Sequence, residues 1–293
     1  MNPTEPGSKA TTSTTSATVD AAGKKADATM SKQAPTSAQQ CVASNPCSGT
    51  GLASDANVKE FTEGFKQLQK DWPKLSADER QKRLEELSNK QLAKSGVPPV
   101  KVVKNALPKG NGGNLDFPNW QIAVNADMMD SPTLSDADAK KFADNLYHES
   151  RHAEQWYLMA QKSAADGKTA AQIRDEMGIP GSVAAAAEKA PLKAGSSKTK
   201  CADKMYDSVY GKNADERGKT LTAVMAKLDD LNKAKANNAK VQGDPKSTDK
   251  DKKAAEQKLK DSRAAFQEAH KKYKALPEET DAFESGGKVQ AAW

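Results

Sequence analysis

Residues 135–163 read SDADAKKFADNLYHESRHAEQWYLMAQKS, and the rest of the chain is best read outward from them. Ser135 is a good N-cap, and Asp138 sits three residues on in capping-box position. A helix is therefore predicted over 136–163, stopping before Gly167. Along it Asn145, His148, His152 and Gln155 follow an i, i+3, i+7, i+10 path and share one polar stripe. Phe142, Leu146, Ala153 and Trp156 form an adjoining apolar stripe that can anchor the helix in a core. A polar stripe beside an apolar one suits a helix forming one wall of a cleft. Tyr147, Trp156 and Tyr157 flank the polar residues and read as core anchors before substrate contacts.

The chain has 3 histidines, and His148 and His152 are two of them. Four residues apart on a helix, they project neighbouring imidazoles from one face, near enough for both to hold one Zn²⁺ at about 2.0–2.1 Å. Glu149 follows the first by about 100° of helix rotation, which places its carboxylate beside the metal's open position. Zinc lowers the pKa of a water it holds to around 7, and a carboxylate there takes the proton as the water attacks a carbonyl. The pattern is H-E-x-x-H on a helix.

These residues, YHESRHAEQW, resemble the active-site helix of the zincin metallopeptidases. The resemblance implies His148 and His152 as metal ligands, Glu149 as general base and one Zn²⁺ per chain. Zincins of the gluzincin type also place a short edge strand before that helix, where an extended peptide adds as a further strand. NWQIAVNADMM, residues 119–129, matches that placement. The metzincin extension is absent, because Glu154, Gln155 and Trp156 follow and no third His is in range. In several bacterial H-E-x-x-H families the third ligand is a Glu on a later helix, written E-x-x-A or P-x-E-x-D-A. LPEETDAF, residues 276–283, fits both spellings through Pro277, Glu279, Asp281 and Ala282. The resemblance thus implies Glu279 as third ligand, with Glu278, Glu188 and His270 as the alternatives. Asp281 is placed to orient a ligand His from behind.

Away from the motif, composition divides the chain. Of its 293 residues 36% are apolar and 29% charged, so the whole chain cannot be packed core. Residues 1–55 are rich in Ser, Thr, Ala, Gly and Pro and read as a disordered leader. Residues 56–212 read as the catalytic core. Within it NVKEFTEGFKQLQKDW shows helical spacing through Val58, Phe61, Phe65 and Leu68. SADERQKRLEELSNKQLAKSG is a second helix, with Ser76 as N-cap and Gly96 as stop. VPPVKVVKN and NWQIAVNADMM read as strands, with LPKGNGGNLDFP as a turn between them. Residues 213–275 read as an antiparallel helical hairpin. Leu221, Val224, Leu228 and Leu231 face Ala255, Leu259, Ser262, Phe266, Ala269 and Tyr273 across a thin seam broken at Gly243 and Pro245. Residues 276–293 return the third ligand. The predicted class is mainly α (α+β): a zincin-like core, a small β element and an inserted hairpin arm.

Composition also bounds partners and place. A net charge of +6 with Lys and Arg interspersed among Asp and Glu does not make a nucleic-acid footprint. No apolar run approaches the ~20 residues of a membrane span. MNPTEPGSKATTSTTSATVD, at residues 1–20, has no apolar h-region, so no cleavable signal peptide is expected. The cysteines are Cys41, Cys47 and Cys201, without metal-site spacing; Cys41 and Cys47 either close a small disulfide loop or remain thiols. No P-loop, dinucleotide fingerprint or G-x-S-x-G is present. The expectation is a zinc metallopeptidase acting on a protein or peptide. Its general look resembles effector toxins delivered by a secretion system, implying a secretion-apparatus or immunity-protein partner; otherwise it is cytoplasmic. The alternative is a non-catalytic zinc protein that binds a partner through the hairpin.

Overall fold

The computed structural model describes residues 46–107 and 112–293. Helices α1 (Asp55–Asp71) and α2 (Ala77–Lys94) lead into strands β1 (Lys101–Asn105), β2 (Gly113–Asp116) and β3 (Gln121–Asn125). A short α3 (Ala126–Asp130) precedes the long α4 (Asp136–Ala165), followed by α5 (Ala170–Met177), α6 (Gly181–Lys189) and α7 (Ser197–Val209). Helices α8 (Ala214–Gly243) and α9 (Asp249–Lys274) form a hairpin, and α10 (Pro277–Ala291) returns to the body. The class is mainly α with a small sheet, as periodicity predicts.

Helix α4 is the axis of the body. Its start is fixed by Ser135, whose hydroxyl accepts from the Asp138 N–H. From Phe142 to Ala160 every residue is buried. This corrects the expectation of a helix lining one wall of a cleft: α1, β2, α6, α7 and α10 pack around its whole circumference. The apolar spacing of α1 explains one of these contacts. Phe61 meets Tyr147 at 4.7 Å and Phe65 meets Phe142 edge-on at 5.7 Å between ring centroids. Burying each such side chain contributes roughly 1.5–3 kcal/mol. Tyr147, Trp156 and Tyr157 are all buried, in keeping with their reading as core anchors.

The sheet differs from expectation in one respect that matters for the site. Among the described residues its order is β1-β3-β2, with β3 parallel to β1 and antiparallel to β2. The strand in NWQIAVNADMM is therefore central, and its buried Ile122, Ala123 and Val124 reflect cover on both faces. The edge next to α4 is β2, which lies inside the stretch read as a turn. Gly113 and Asn114 hide it from strand propensity, and Gly112 just before it lets the backbone come close: a Cβ there would stand 1.8 Å from Asn145 Nδ2 on α4.

Residues 46–54, read as the end of the leader, belong to the body instead. Leu52 is fully buried, Tyr147 donates its hydroxyl to the Leu52 carbonyl at 2.6 Å, and Ser54 caps α1. Cys47 is disulfide-bonded to Cys201 on α7, across 154 residues of sequence, so Cys47 neither closes a loop with Cys41 nor remains a thiol, the two readings that the sequence left open. Cys41 lies outside the described residues, as does the rest of the leader through residue 45.

The hairpin arm forms with the predicted seam. Leu221, Val224, Leu228, Leu231, Phe266 and Tyr273 make a cluster of their own, separate from the main core. Leu276 and Phe283 pack against it and join the arm's root to α10.

Candidate metal centre

His148 and His152 lie one turn apart on α4, and Glu279 arrives on the first turn of α10. The two imidazole Nε2 atoms are 3.1 Å apart. Glu279 Oε2 lies 3.5 Å from His152 Nε2 and 4.0 Å from His148 Nε2. Among the described residues these three form the group of His and carboxylate donors able to share one metal ion, and all three are buried. Two donors bound tetrahedrally at about 2.0–2.1 Å stand roughly 3.3 Å apart, so the observed spacings suit a small divalent ion.

The tautomer of His152 follows from its neighbours. Gln155 Nε2 donates to the Glu278 carbonyl at 2.9 Å and to Asp281 Oδ2 at 2.8 Å. Both partners accept, so the amide can only be oriented with Oε1 towards His152. His152 Nδ1, 2.8 Å from that oxygen, must then carry the proton. In the neutral ring the lone pair is then on Nε2, which faces His148 Nε2 and Glu279 Oε2. Two imidazole nitrogens converging with a buried carboxylate oxygen form a donor set that one divalent cation takes. The donor chemistry therefore fits a metal such as zinc.

Charge around the centre points the same way. Beside the centre lie the buried guanidiniums of Arg151 and Arg217, and the carboxylates of Glu149, Glu154, Glu278, Glu279 and Asp281 are buried there too. Arg151 Nε donates to Asp281 Oδ2 at 2.6 Å, and its Nη1 is bonded to Glu154 Oε2. Burial lowers the Arg151 pKa, but the charges of Glu154 and Asp281 outweigh it and hold the pKa above its ordinary value. Arg217 at the arm's root donates to Glu278 Oε1 at 2.6 Å; its pKa is raised in the same way, Glu278 outweighing desolvation. The excess of negative charge is what a divalent cation offsets.

Glu149 points to the sheet. Its Oε2 accepts the Leu115 N–H of β2 at 2.9 Å. Leu115 pairs in register with Ile122, and its amide faces away from β3 towards α4. The motif helix and the edge strand thus meet through the Glu149 carboxylate. Aromatic rings close the surroundings: Trp156 stands edge-on to His152 and stacks on Phe117 at 5.1 Å, while Phe283 stands edge-on to His148 at 4.7 Å.

The other candidates are placed elsewhere. Glu188 is exposed near the end of α6. Glu278 is committed to Arg217. His270 is buried in the arm's root, stacked on Phe266 at 5.6 Å, and its ring and that of His148 both lie against Phe283. Asp281 reaches His152 through Gln155, so the orienting role shown by these bonds is indirect. Sequence reading put Gln155 on the polar stripe without giving it a task. The i, i+3 step from His152 was the signal available. Nothing in the charged sequence of the arm marks Arg217. Compared with family models, curated proteins and solved structures, the chain matches none of them.

Proposed function

We propose that the protein is a zinc-dependent metallopeptidase hydrolysing a peptide bond of a protein or peptide substrate. The observation that carries this reading is the meeting of His148 and His152 with Glu279 beside the motif's Glu149. His148, His152 and Glu279 hold the metal, which supplies Lewis acidity and lowers the pKa of water. Gln155 holds the proton of neutral His152 on Nδ1 and so leaves Nε2 for that task. Glu149 accepts the proton of the attacking water and passes it to the leaving amine. Leu115 N–H fixes one oxygen of its carboxylate and so sets its orientation. The disulfide favours work outside a reducing cytoplasm, in keeping with delivery by a secretion system. Among the described residues no helix is long and apolar enough to cross a membrane.

One observation favours the alternative of a metal-containing binding protein: the donors and Glu149 are all buried, and Glu149 is occupied by a main-chain donor. One set of variants separates the two readings. The purified chain should carry about one zinc. His148→Ala and His152→Ala should lose it. Glu149→Gln should keep zinc and fold but lose hydrolysis of a substrate the native chain cleaves. Wild-type turnover in Glu149→Gln would refute the general-base role, and a native chain that binds no zinc refutes both readings.

A further inference from the structure

The disulfide and the metal centre are connected by a continuous set of buried contacts. Cys47 is tied to Cys201 on α7, which packs on α4. The segment that follows Cys47 presents its backbone to the motif helix. The Cys47 and Thr50 carbonyls accept from Arg151 Nη2 and Nη1 at 3.5 and 3.3 Å. Leu52 N–H donates to Glu154 Oε2 at 2.9 Å. Arg151, so held, donates to Asp281; Asp281 accepts from Gln155; Gln155 accepts from His152 Nδ1. Asp281 lies on α10 two residues after Glu279, so the same chain of bonds fixes one ligand directly and docks the helix that carries another. Lys288 of α10 also reaches back to the segment, donating to the Ala53 carbonyl at 2.9 Å and to Asp55 at 2.7 Å.

Resting on the metal-centre reading above, we propose that the Cys47–Cys201 disulfide is a redox latch on that centre: oxidation seats residues 46–54 and completes the metal site, and reduction opens it. Closing the latch moves two electrons and two protons from the Cys47 and Cys201 thiols to a disulfide-bonded oxidant. The sulfurs join, and the oxidant leaves as a dithiol. Opening is the reverse, with a dithiol as reductant becoming a disulfide. Both sulfurs are buried once the segment is seated, Cys47 at 1% and Cys201 at 0% exposure, so the exchange takes place with the segment undocked. A chain made in a reducing cytoplasm then has a loosened site, and arrival in an oxidising compartment arms it. Besides Cys47, the buried apolar anchors of residues 46–54 are Leu52 and Ala53; the rest of the segment is held by the polar contacts to α4 and α10.

The test is a zinc titration of the full chain in a Cys41→Ser background, which removes competing pairings. The oxidised chain is compared with the Cys47→Ser/Cys201→Ser variant, which has no thiol to bind zinc by itself. The variant should bind on the order of 10- to 100-fold more weakly, the loss usual for groups that orient ligands. The oxidised chain is also reduced with a phosphine, stripped of it without air, and re-oxidised with glutathione disulfide. Affinity should fall and return, while α10 amides exchange hydrogen faster in the reduced form. Equal zinc affinity in the oxidised chain and the variant overturns the latch. Loss of the helical circular dichroism signal on reduction and in the variant also overturns it, because the bond then holds the whole fold. No zinc binding by the oxidised chain refutes the metal-centre reading itself, a result distinct from either.

Discussion

At the scale of single residues, the centre depends on hydrogen-bond direction as much as on donor identity. His152 is a usable ligand because Gln155 can present only its oxygen, and Gln155 is so constrained because the Glu278 carbonyl and Asp281 both accept. Gln155→Leu removes the acceptor while keeping the volume. Zinc affinity should drop by about 10- to 100-fold with the helical signal intact, as read by zinc titration and circular dichroism. An unchanged affinity would mean that His152 is held by packing against Trp156 alone. This is also where the sequence stops being legible. H-E-x-x-H identifies His148, Glu149 and His152 because the spacing itself carries the chemistry. Gln155, Arg151 and Glu154 follow on the same helix, but beyond the local pairs His152–Gln155 and Arg151–Glu154 their partners come from residues 47–52 and 278–281. No local pattern records such a partner. A buried Arg and a solvated Arg are the same letter until the chain is folded.

At the scale of elements, two adjacent glutamates on the first turn of α10 have different work. Glu279 faces the histidines; Glu278, one residue and about 100° earlier, faces Arg217 on α8. Glu279→Ala should weaken zinc by at least about tenfold, with metal-free melting unchanged or raised, since the buried negative charge is reduced. Glu278→Ala leaves Arg217 buried without its carboxylate and should cost about 3–5 kcal/mol of stability, read by denaturant unfolding of the metal-free chain. If the two phenotypes are exchanged, the side-chain assignment on α10 is wrong. Helices were the legible elements here, because Ser76 and Ser135 both accept at the N-termini they announce. The edge strand was not. Asn114 and its glycine neighbour carry no β propensity, and β2 is held as a strand by pairing with β3 and by Glu149. Tertiary contact, and not local preference, makes it a strand.

At the scale of the whole molecule, the body reaches back at least to residue 46, past the boundary that composition sets at residue 55. A chain beginning at residue 46 keeps Cys47, the carbonyls that hold Arg151, and buried Leu52. It should bind zinc and melt like the full chain. A chain beginning at residue 55 should lose most of its zinc affinity and melt at a lower temperature in scanning calorimetry. The disulfide alone closes a loop of 154 residues, for which the chain-entropy model gives about 5 kcal/mol. Composition could not place this boundary, because Cys47, Gly49, Thr50 and Gly51 look like the segment before them. The arm has a different standing. Its root is fastened to α10 by Arg217–Glu278, Leu276 and Phe283, while Gln242 donates to the Lys252 carbonyl far out along the hairpin. Because the two helices run out and back side by side, the arm is an adjustable spar. Removing one heptad from the outer half of α8 and the facing heptad from α9 shortens it by about 10 Å without turning the root. Such a chain should diffuse faster and titrate zinc like the parent. Reach and metal binding would then be free to change separately in this protein.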